Sequence, residues 1–548
     1  MRPPDPRRKH NLRHPLTLSK TLLSERSTPR HEIRRHMQPN IIIFLVDDMG
    51  TGDTSAYQDW TGNRDDEQLH TPSLERLARL GVRFTDAHTP STVCTPTRYA
   101  LLTGRYCWRT QLKHKVAFGP HYPPLIEKER PTLATILKEA GYRTGISGKW
   151  HVGLTYTKSD GSPAEGWDDA DVRQPLTDCP EEHGFDYHFI TNRSHGTSAN
   201  AGWIENRRCI GATGKNPHDI SGYDLYKTGS MNFQHAVGFL DTHLAEEDTK
   251  QQPFFLYYAA NSNHTPHTPC DALNGVPITG QAHFKNGKRE LSRPHATTND
   301  PNGWESTEWG KQRDQVGGCE HNTPERLDFI YENDVAVGQL LNYLETHDDP
   351  RNPGHKLIDN TLFIFSSDNG AENAGKESSG YYRGRKAHIH EGGHRVPTIA
   401  FWKQGNIGDG NDATPGRTSH ITYGLNDLIL SIADLVGIEA SSRAGFAEDS
   451  TSIAPFLTGL QDDEFEPHPL VLHDDYIMGP MLSLRDGDWK LIVGQELITE
   501  DELKHHALFN LKDNPTEDER QNLIASEQHR HLVESLSEKL LDIYHQRS

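Results

Sequence analysis

The sequence predicts an α/β fold: a large, mostly parallel mixed sheet flanked by helices, followed by a smaller C-terminal α+β subdomain. Three observations carry that expectation. Apolar segments of strand length alternate with segments of helical period, the pattern of parallel strands joined by crossover helices. The apolar runs are continuous, as strands covered on both faces require. After about residue 460 the texture changes and a hairpin pattern replaces the alternation.

The elements follow in order. "NIIIFLVDDMG" (40–50) is an unbroken apolar run closed by two acids and a glycine, a buried parallel strand with a polar carboxyl tip. In "TPSLERLARLG", Thr71 is placed to cap a helix, Pro72 suits its first turn, Leu74, Leu77 and Leu80 share a face, and Gly81 ends it. "RPTLATILKEAGYRTGISGKWHVG" repeats the plan, with a helix over about 132–140, a stop at Gly141, a strand over 143–147 and GKWH at its end. "PFFLYYAANSNHTPHTP" and "NTLFIFSSDNG" are further apolar strands with polar tips. Between them "TPERLDFIYENDVAVGQLLNYLET" reads as a long amphipathic helix. Residues 265–321 and much of 191–232 are poor in apolar side chains and read as long surface insertions, which on a rigid sheet shape substrate pockets. "MLSLRDGDWKLIVG" is a hairpin with a D-G turn, and a last helix covers about 526–544. The organisation expected is a tail over 1–37, a main domain over 38–460, and a C-terminal subdomain over 461–548 with a short antiparallel sheet and a terminal helix. There is no internal repeat.

Bulk properties exclude several roles. With 548 residues the chain can bury a large core, and its 46 Gly, 33 Pro and 9 Trp suit a loop-rich globular protein. A formal charge of −20 argues against a nucleic-acid or anionic-membrane binder, so an anionic ligand would need a positive pocket built locally. No 18-residue apolar run exists, and no membrane span is expected. The first 36 residues are basic and Pro-rich and lack the apolar stretch of a secretory signal. They read either as a disordered tail or as a start assigned too early, with Met37 the alternative. The expected location is cytoplasmic, or periplasmic or secreted if the start is mis-assigned. The six cysteines, Cys94, Cys107, Cys179, Cys209, Cys270 and Cys319, contain no C-x-x-C pair and are too sparse for a disulfide scaffold; one or two bridges stay open.

Ligands of open α/β sheets bind at the carboxyl ends of strands. Asp47, Asp48, Lys149, His151, His264, Asp368 and Asn369 all stand there, so they are expected on one sheet edge. Asp47, Asp48, Asp368 and Asn369 offer only oxygen ligands, which suit Ca²⁺ or Mg²⁺, whereas zinc calls for His or Cys. Either pair alone is equally a solvated turn; at two neighbouring strand tips they read as one metal site. Lys149, His151, His264 and Lys386 would add positive charge beside the ion and stabilise charge developing on a bound anion. Each alone reads as a surface charge. His267, His388, His390 and His394 lie close enough in sequence to bear on the same pocket. Cys94, in "VCTPTRYALLTGRY" (93–106), is open to four readings: thiolate nucleophile, metal ligand, packing residue or precursor of another group.

C-T-P-T-R followed by A-L-L-T-G-R, with DD, GKWH, NSNHTP, SDNG and RGRKAHIHEGG in this order, resembles the type I sulfatases of the alkaline-phosphatase superfamily. The resemblance runs from about Pro39 to "LFNLKDNPTEDERQNL". It implies an alkaline-phosphatase-like fold and hydrolysis of an organic sulfate monoester to an alcohol and inorganic sulfate. It also implies that Cys94 is a precursor, oxidised by a formylglycine-generating maturation enzyme to Cα-formylglycine. The aldehyde hydrate offers one hydroxyl to attack sulfur and a second whose deprotonation expels sulfate, which a thiol cannot do. Carried over by position, Asp47, Asp48, Asp368 and Asn369 would hold one Ca²⁺ and Arg98 would steady the hydrate. Lys149 would bridge the hydrate to sulfate, and His151 would take the proton that triggers release. His264 and Lys386 would bind sulfate, with His264 the general acid for the leaving oxygen. Ala-His-Ile-His in the RKAHIHEGG segment departs from the small and hydroxylated residues usual there, which makes His388 and His390 candidate substrate contacts alongside His267. The substrate expected is a small sulfated sugar or oligosaccharide, since Trp203, Trp304 and Trp309 in the polar insertions could face sugar rings; packing roles explain them equally. Two alternatives remain: a phosphonate monoester or phosphodiester hydrolase of the same superfamily, and a non-catalytic binder of sulfated glycans.

Overall fold

Five apolar segments of the sequence become five adjacent parallel strands in the computed structural model. It describes residues 38–57, 69–113, 115–196, 200–214, 216–289, 323–372, 378–439, 445–474, 479–499 and 502–545. Gln38–Ser548 forms one unit, and Met1–Met37, with the expected tail, lies outside the described residues. In chain order the strands of the large sheet and its satellites are β1 (Asn40–Val46), β2 (Val82–Phe84), β3 (Ala87–His88), β4 (Arg143–Lys149), β5 (Tyr187–Thr191), β6 (Trp203–Glu205), β7 (Arg208–Cys209), β8 (Phe254–Ala259), β9 (Ala272–Leu273), β10 (Val276–Pro277), β11 (Thr361–Ser367), β12 (Thr398–Phe401), β13 (Arg417–Ser419) and β14 (Tyr423–Gly424). The large sheet has the order β13-β2-β12-β11-β1-β8-β4-β5-β6-β7. Its centre, β11-β1-β8-β4-β5, is parallel throughout, and β12 and β6 flank it antiparallel.

The continuous apolar run of β1 serves two cores. Ile41, Ile43 and Leu45 pack on one face with Leu101, Leu137 and Ile429, from the helices α2 (Cys94–Thr103), α3 (Leu133–Glu139) and α7 (Leu428–Leu435). Ile42, Phe44 and Val46 pack on the other with Leu77, Leu240 and Leu340, from α1 (Pro72–Leu80), α4 (Thr228–Ala245) and α5 (Pro324–Thr346). Period-2 alternation thus persists inside a strand with no polar face.

Several details differ from expectation. Strand β4 runs two residues further than 143–147, so Lys149 is its last residue rather than part of a loop. The extension is possible because position 148 is glycine: its φ is +119°, and a Cβ there would lie 1.8 Å from the Ala259 carbonyl oxygen of β8. Helix α1 starts at Pro72 as expected, but the Thr71 hydroxyl bonds Thr54 and Ser55 instead of capping. The Asp334 carboxylate of α5 caps instead, accepting from the backbone N–H of Leu74 (2.8 Å) and Ser73 (3.2 Å). Helix α5 itself buries 15 of its 23 residues, too many for a one-sided amphipathic helix. Its buried charges are matched: Arg326 pairs with Asp53 at 2.8 Å, and Glu332 accepts from Ser262 Oγ (2.5 Å) and the Cys270 N–H (2.8 Å).

The C-terminal strands β15 (Leu470–Asp474), β16 (Met481–Asp486), β17 (Trp489–Thr499) and β18 (Glu502–Asn510) form a separate antiparallel sheet, with a turn at Gly487 as the D-G dipeptide requires. A final helix, α8 (Arg530–His545), lays Val533, Leu536 and Leu540 against it.

A buried chain of charges ties this sheet to the main one. Asp86 pairs with Arg395 at 3.0 Å and Arg485 at 3.3 Å, and with His88 Nε2 at 2.8 Å. His88 Nδ1 meets His394 Nδ1 at 2.9 Å, in the short helix α6 (Glu391–His394). Lys490 of β17 closes the chain, with its Nζ 2.9 Å from His394 Nε2, 3.0 Å from Glu391 and 2.9 Å from Glu517. Every member has a partner, which is the condition under which buried charge is tolerated. Burial alone would raise the Asp86 carboxyl, but Arg395 and Arg485 outweigh it and hold it well below the usual range. A depressed carboxyl stabilises the fold above its unfolded value near pH 4, and that stabilisation is lost as pH falls toward the folded value. Asp86→Asn should therefore cost about 3–5 kcal/mol at pH 7. Urea denaturation at several pH values should show the gap to wild type closing below about pH 4.

Candidate active site

The carboxyl tips of the three central parallel strands, β11, β1 and β8, are stitched to one another by main-chain bonds. The Asp47 N–H donates to Ser262 O (3.1 Å), Asp368 N–H to Val46 O (3.0 Å) and Asn263 N–H to Asp47 O (3.3 Å). Asn263 Nδ2 also donates to the Asp48 carbonyl at 3.1 Å. The loop carrying Lys386 is sewn on by Lys386 N–H to Ala371 O (2.8 Å) and Ala387 N–H to Thr92 O (2.9 Å). Three non-glycine residues here, Asp48, His151 and Ala387, hold left-handed backbone at φ +57°, +58° and +64°. Such conformations persist where surrounding bonds dictate them, and they cluster at functional sites.

Within this frame Asp47, Asp48, Asp368 and Cys94 bring one ligand atom each to within 4.8 Å of the others, all fully buried. Cys94 is the first residue of α2, and its thiol donates to Asp47 Oδ1 at 3.5 Å. Lys149 Nζ lies 2.6 Å from Asp47 Oδ2, and Lys386 Nζ 2.6 Å from Asp48 Oδ2. The Arg98 guanidinium is 2.8 Å from Asp368 Oδ2 and donates to the Lys149 carbonyl at 2.9 Å. Asn369 Nδ2 donates to Asp48 Oδ1 at 2.7 Å, while its Oδ1 is buried with no hydrogen-bond partner. Burial and the neighbouring Asp47 push the Asp368 carboxyl up to about 6, the mark of crowded carboxylates.

These residues fit a hard divalent cation. The donors are oxygens, the orphaned Asn369 Oδ1 is an acceptor awaiting a positive partner, and an ion would relieve the crowding that raises Asp368.

The two histidines differ in tautomer. His151 Nε2 lies 2.9 Å from the Ala117 carbonyl, and a carbonyl only accepts, so Nε2 carries the proton and the partnerless Nδ1 holds a lone pair. Burial, then Lys149 and Arg98, press its pKa well below the usual value, so the ring is neutral and basic at Nδ1. His264 Nδ1 lies 2.5 Å from the Thr265 carbonyl, which leaves Nε2 bare, 3.5 Å from Ser194 Oγ. Burial and Lys386 lower its pKa to about 4. For the Cys94 thiol, burial and the nearby Asp368 and Asp47 carboxylates push the pKa well above its usual value.

Among the other expected residues, His267 Nε2 is 3.1 Å from Glu372, whose carboxylate together with His264 and Asp48 forms a second close group. His388 and His390 are buried, and among the described residues neither belongs to the acid cluster. His390 answers electrostatically to Arg383, Lys490, His388 and His394, on the side of the C-terminal sheet. His394 belongs to the Lys490 chain of charges. Trp203 packs, its ring stacked on Phe189 at 6.2 Å and tilted against Tyr223 at 4.9 Å. Trp304, Trp309 and Cys319 lie outside the described residues. Sequence reasoning missed Glu372, Arg193 and Ser194. The last two follow β5, whose "YHFIT" carries the same apolar-run-then-polar-tip signal as the other strands.

Comparison with known proteins identifies the family. Residues 39–438 match the family model described as Sulfatase. The chain is 28% identical over 543 residues to an N-acetylgalactosamine-6-O-sulfatase of Bacteroides thetaiotaomicron, covering 92% of each chain. It is 28% identical over 479 residues to arylsulfatase A of Bos taurus, covering 82% of this chain and 74% of the relative. A solved Bacteroides thetaiotaomicron structure, described under the metabolism of multiple glycosaminoglycans, aligns with TM-score 0.66 and 24% identity over 92% of this chain and 99% of its own. A second solved structure, of a protein in complex with its substrate D-glucosamine-2-N,6-O-disulfate, aligns with TM-score 0.56 and 18% identity over 93% of this chain and 97% of its own. The structural likeness carries the alkaline-phosphatase-like fold. With the family match spanning most of its length, this chain belongs to the type I sulfatases and is a sulfuric ester hydrolase.

Proposed function

We propose that this sulfatase hydrolyses a sulfate monoester on a small carbohydrate, with a formylglycine hydrate derived from Cys94 as nucleophile and one calcium ion held by Asp47, Asp48, Asp368 and Asn369. The observation that carries the proposal is the setting of Cys94. Its sulfur stands among three carboxylates and within the field of two lysines, yet the thiol is held protonated. A buried neutral thiol is a poor nucleophile, so the position makes sense for a group made from cysteine rather than for cysteine itself. Conversion would fall to a maturation enzyme acting on the chain before it folds. The names of relatives, an N-acetylgalactosamine-6-O-sulfatase among them, support a sugar substrate.

A bound calcium would supply fixed positive charge to ester and nucleophile oxygens. The chain's own residues do the rest. Lys149 and Lys386 sit where they can turn from Asp47 and Asp48 toward sulfate oxygens, and Arg98 anchors Asp368 and the Lys149 main chain. His151, basic at Nδ1, suits removal of a proton from the residue at position 94. His264 presents bare Nε2 to the pocket and must gain a proton there to act as acid toward the leaving oxygen. The bound anion favours that gain, because its charge opposes the effect of Lys386 and Lys149.

Four measurements test this reading. Mass spectrometry of the peptide containing residue 94 from active protein should show a mass about 18 Da below the cysteine form, sulfur and two hydrogens having given way to one oxygen. An active preparation with only unmodified cysteine would overturn the proposal, as would an aryl phosphodiester turned over about a hundredfold faster than an aryl sulfate. Calcium at about 100 times its Kd should raise stability by about 2.7 kcal/mol, seen as an upward Tm shift after chelation and re-addition. Asp368→Asn should lose most of that shift. His264→Ala should lower kcat about 10²- to 10⁴-fold on a sugar sulfate but far less on an aryl sulfate, whose leaving group needs little protonation.

A further inference from the structure

Beside the sulfate site lies a small surface cleft whose wall includes Ala117, Tyr122, His151, Asn192 and Arg193. His151 is common to the cleft and the site. Arg193 stands one residue before Ser194, whose hydroxyl is 3.5 Å from His264 Nε2.

The main chain around Arg193 is fixed on both sides. Thr191 Oγ1 donates to the Arg193 carbonyl (2.9 Å), Asn192 is tied to Asn200 O (2.8 Å) and to the Gly202 N–H (2.9 Å), and His195 Nε2 meets Thr268 Oγ1 at 2.9 Å. Its guanidinium, by contrast, makes no hydrogen bond and no ion pair among the described residues, and Nε is buried without a partner. The ionisable group that bears on it is the Tyr223 phenol, which is uncharged at neutral pH. Every arginine of the acid cluster and of the buried charge chain has a carboxylate; this one, in a chain of net charge −20, has none among the described residues. A half-buried cation left unpaired costs stability, so a rigid loop that keeps one facing a cleft reserves it for an anion that arrives from outside. A planar fork of N–H donors matches a carboxylate or a sulfate.

We infer that Arg193 binds a second anionic group of the substrate, a carboxylate or a further sulfate on the sugar that bears, or adjoins the sugar that bears, the scissile ester. The inference rests on the proposed carbohydrate-sulfatase activity and narrows its substrate to doubly anionic saccharides.

The test compares matched substrates in wild type and Arg193→Gln, both carrying the matured residue 94. One pair is a disaccharide of uronic acid and N-acetylgalactosamine 6-sulfate against its carboxyl-reduced form. The other is a disulfated hexosamine against the 6-sulfated one. Wild type should favour the doubly charged member of at least one pair by about 10- to 100-fold in kcat/KM, the worth of one charge-assisted hydrogen-bonded contact. The pair showing the preference identifies the anion as carboxylate or sulfate. In Arg193→Gln that ratio should collapse toward one. No preference in wild type for either pair overturns the inference, and so does an Arg193→Gln variant that loses both members equally. Sulfate release from the sugar sulfates themselves separates the two failures: none from any of them sinks the carbohydrate-sulfatase proposal, whereas release with flat ratios sinks only the role of Arg193.

Discussion

Three carboxylates, those of Asp47, Asp48 and Asp368, are confined to a few ångströms with no exposed surface, and the rest of the site is arranged around that crowding. Three cations match them one for one: Lys149 on Asp47, Lys386 on Asp48, Arg98 on Asp368. The bare protein is therefore close to locally neutral, and a buried group of six charges can survive folding only because each is paired. A divalent ion placed among the acids would change the sum to an excess of two positive charges. That excess is the attraction an anionic ester needs, and it arises locally in a chain whose overall charge repels anions.

Such a balance depends on holding groups far apart in sequence in fixed register, and the fold provides two devices. The tips of β1, β8 and β11 exchange main-chain bonds, so Asp47, Asp368 and the segment leading to His264 cannot move separately. The loop of Lys386 is fastened at one end to Ala371 and Thr92, and beyond His390 it runs into α6, which Lys490 grips from the C-terminal sheet. That sheet contributes none of the acids, lysines or histidines gathered at the site, yet it holds the loop that supplies one of the two lysines.

Much of this was legible in sequence, for a physical reason. Parallel strands buried on both faces must be continuously apolar, so β1, β8 and β11 announced themselves, and their polar tips had one place to go. Strand β5 went unread because "YHFIT" is short and opens a polar stretch that looked like an insertion, and with it went Ser194 and Arg193. The inward charges of α5 disguised a buried helix as an amphipathic one, since pairing partners such as Asp53 are distant in sequence. His388 and His390 follow Lys386 too closely for composition to tell which side of the loop they occupy; the left-handed turn at Ala387 helps direct the chain away from the acids. Tautomers, too, were beyond sequence, because they depend on which carbonyl each ring meets.

The position of residue 94 gathers these constraints. It opens α2, where the first-turn N–H groups and the aligned peptide dipoles favour negative charge. Alone, that field does not ionise the native thiol, because burial and the Asp368 and Asp47 carboxylates press harder in the other direction. Negative charge at this position would become favourable under the proposed mechanism, with a cation among the acids, the lysines turned to the site and the partnerless Nδ1 of His151 taking a proton. Under the proposed mechanism the same carboxylates that keep cysteine inert would, with an ion between them, support a charged nucleophile. A site built in this way has no activity from its parts taken singly, which is why its acids, bases and oxidisable residue had to be read together before any one of them acquired a role.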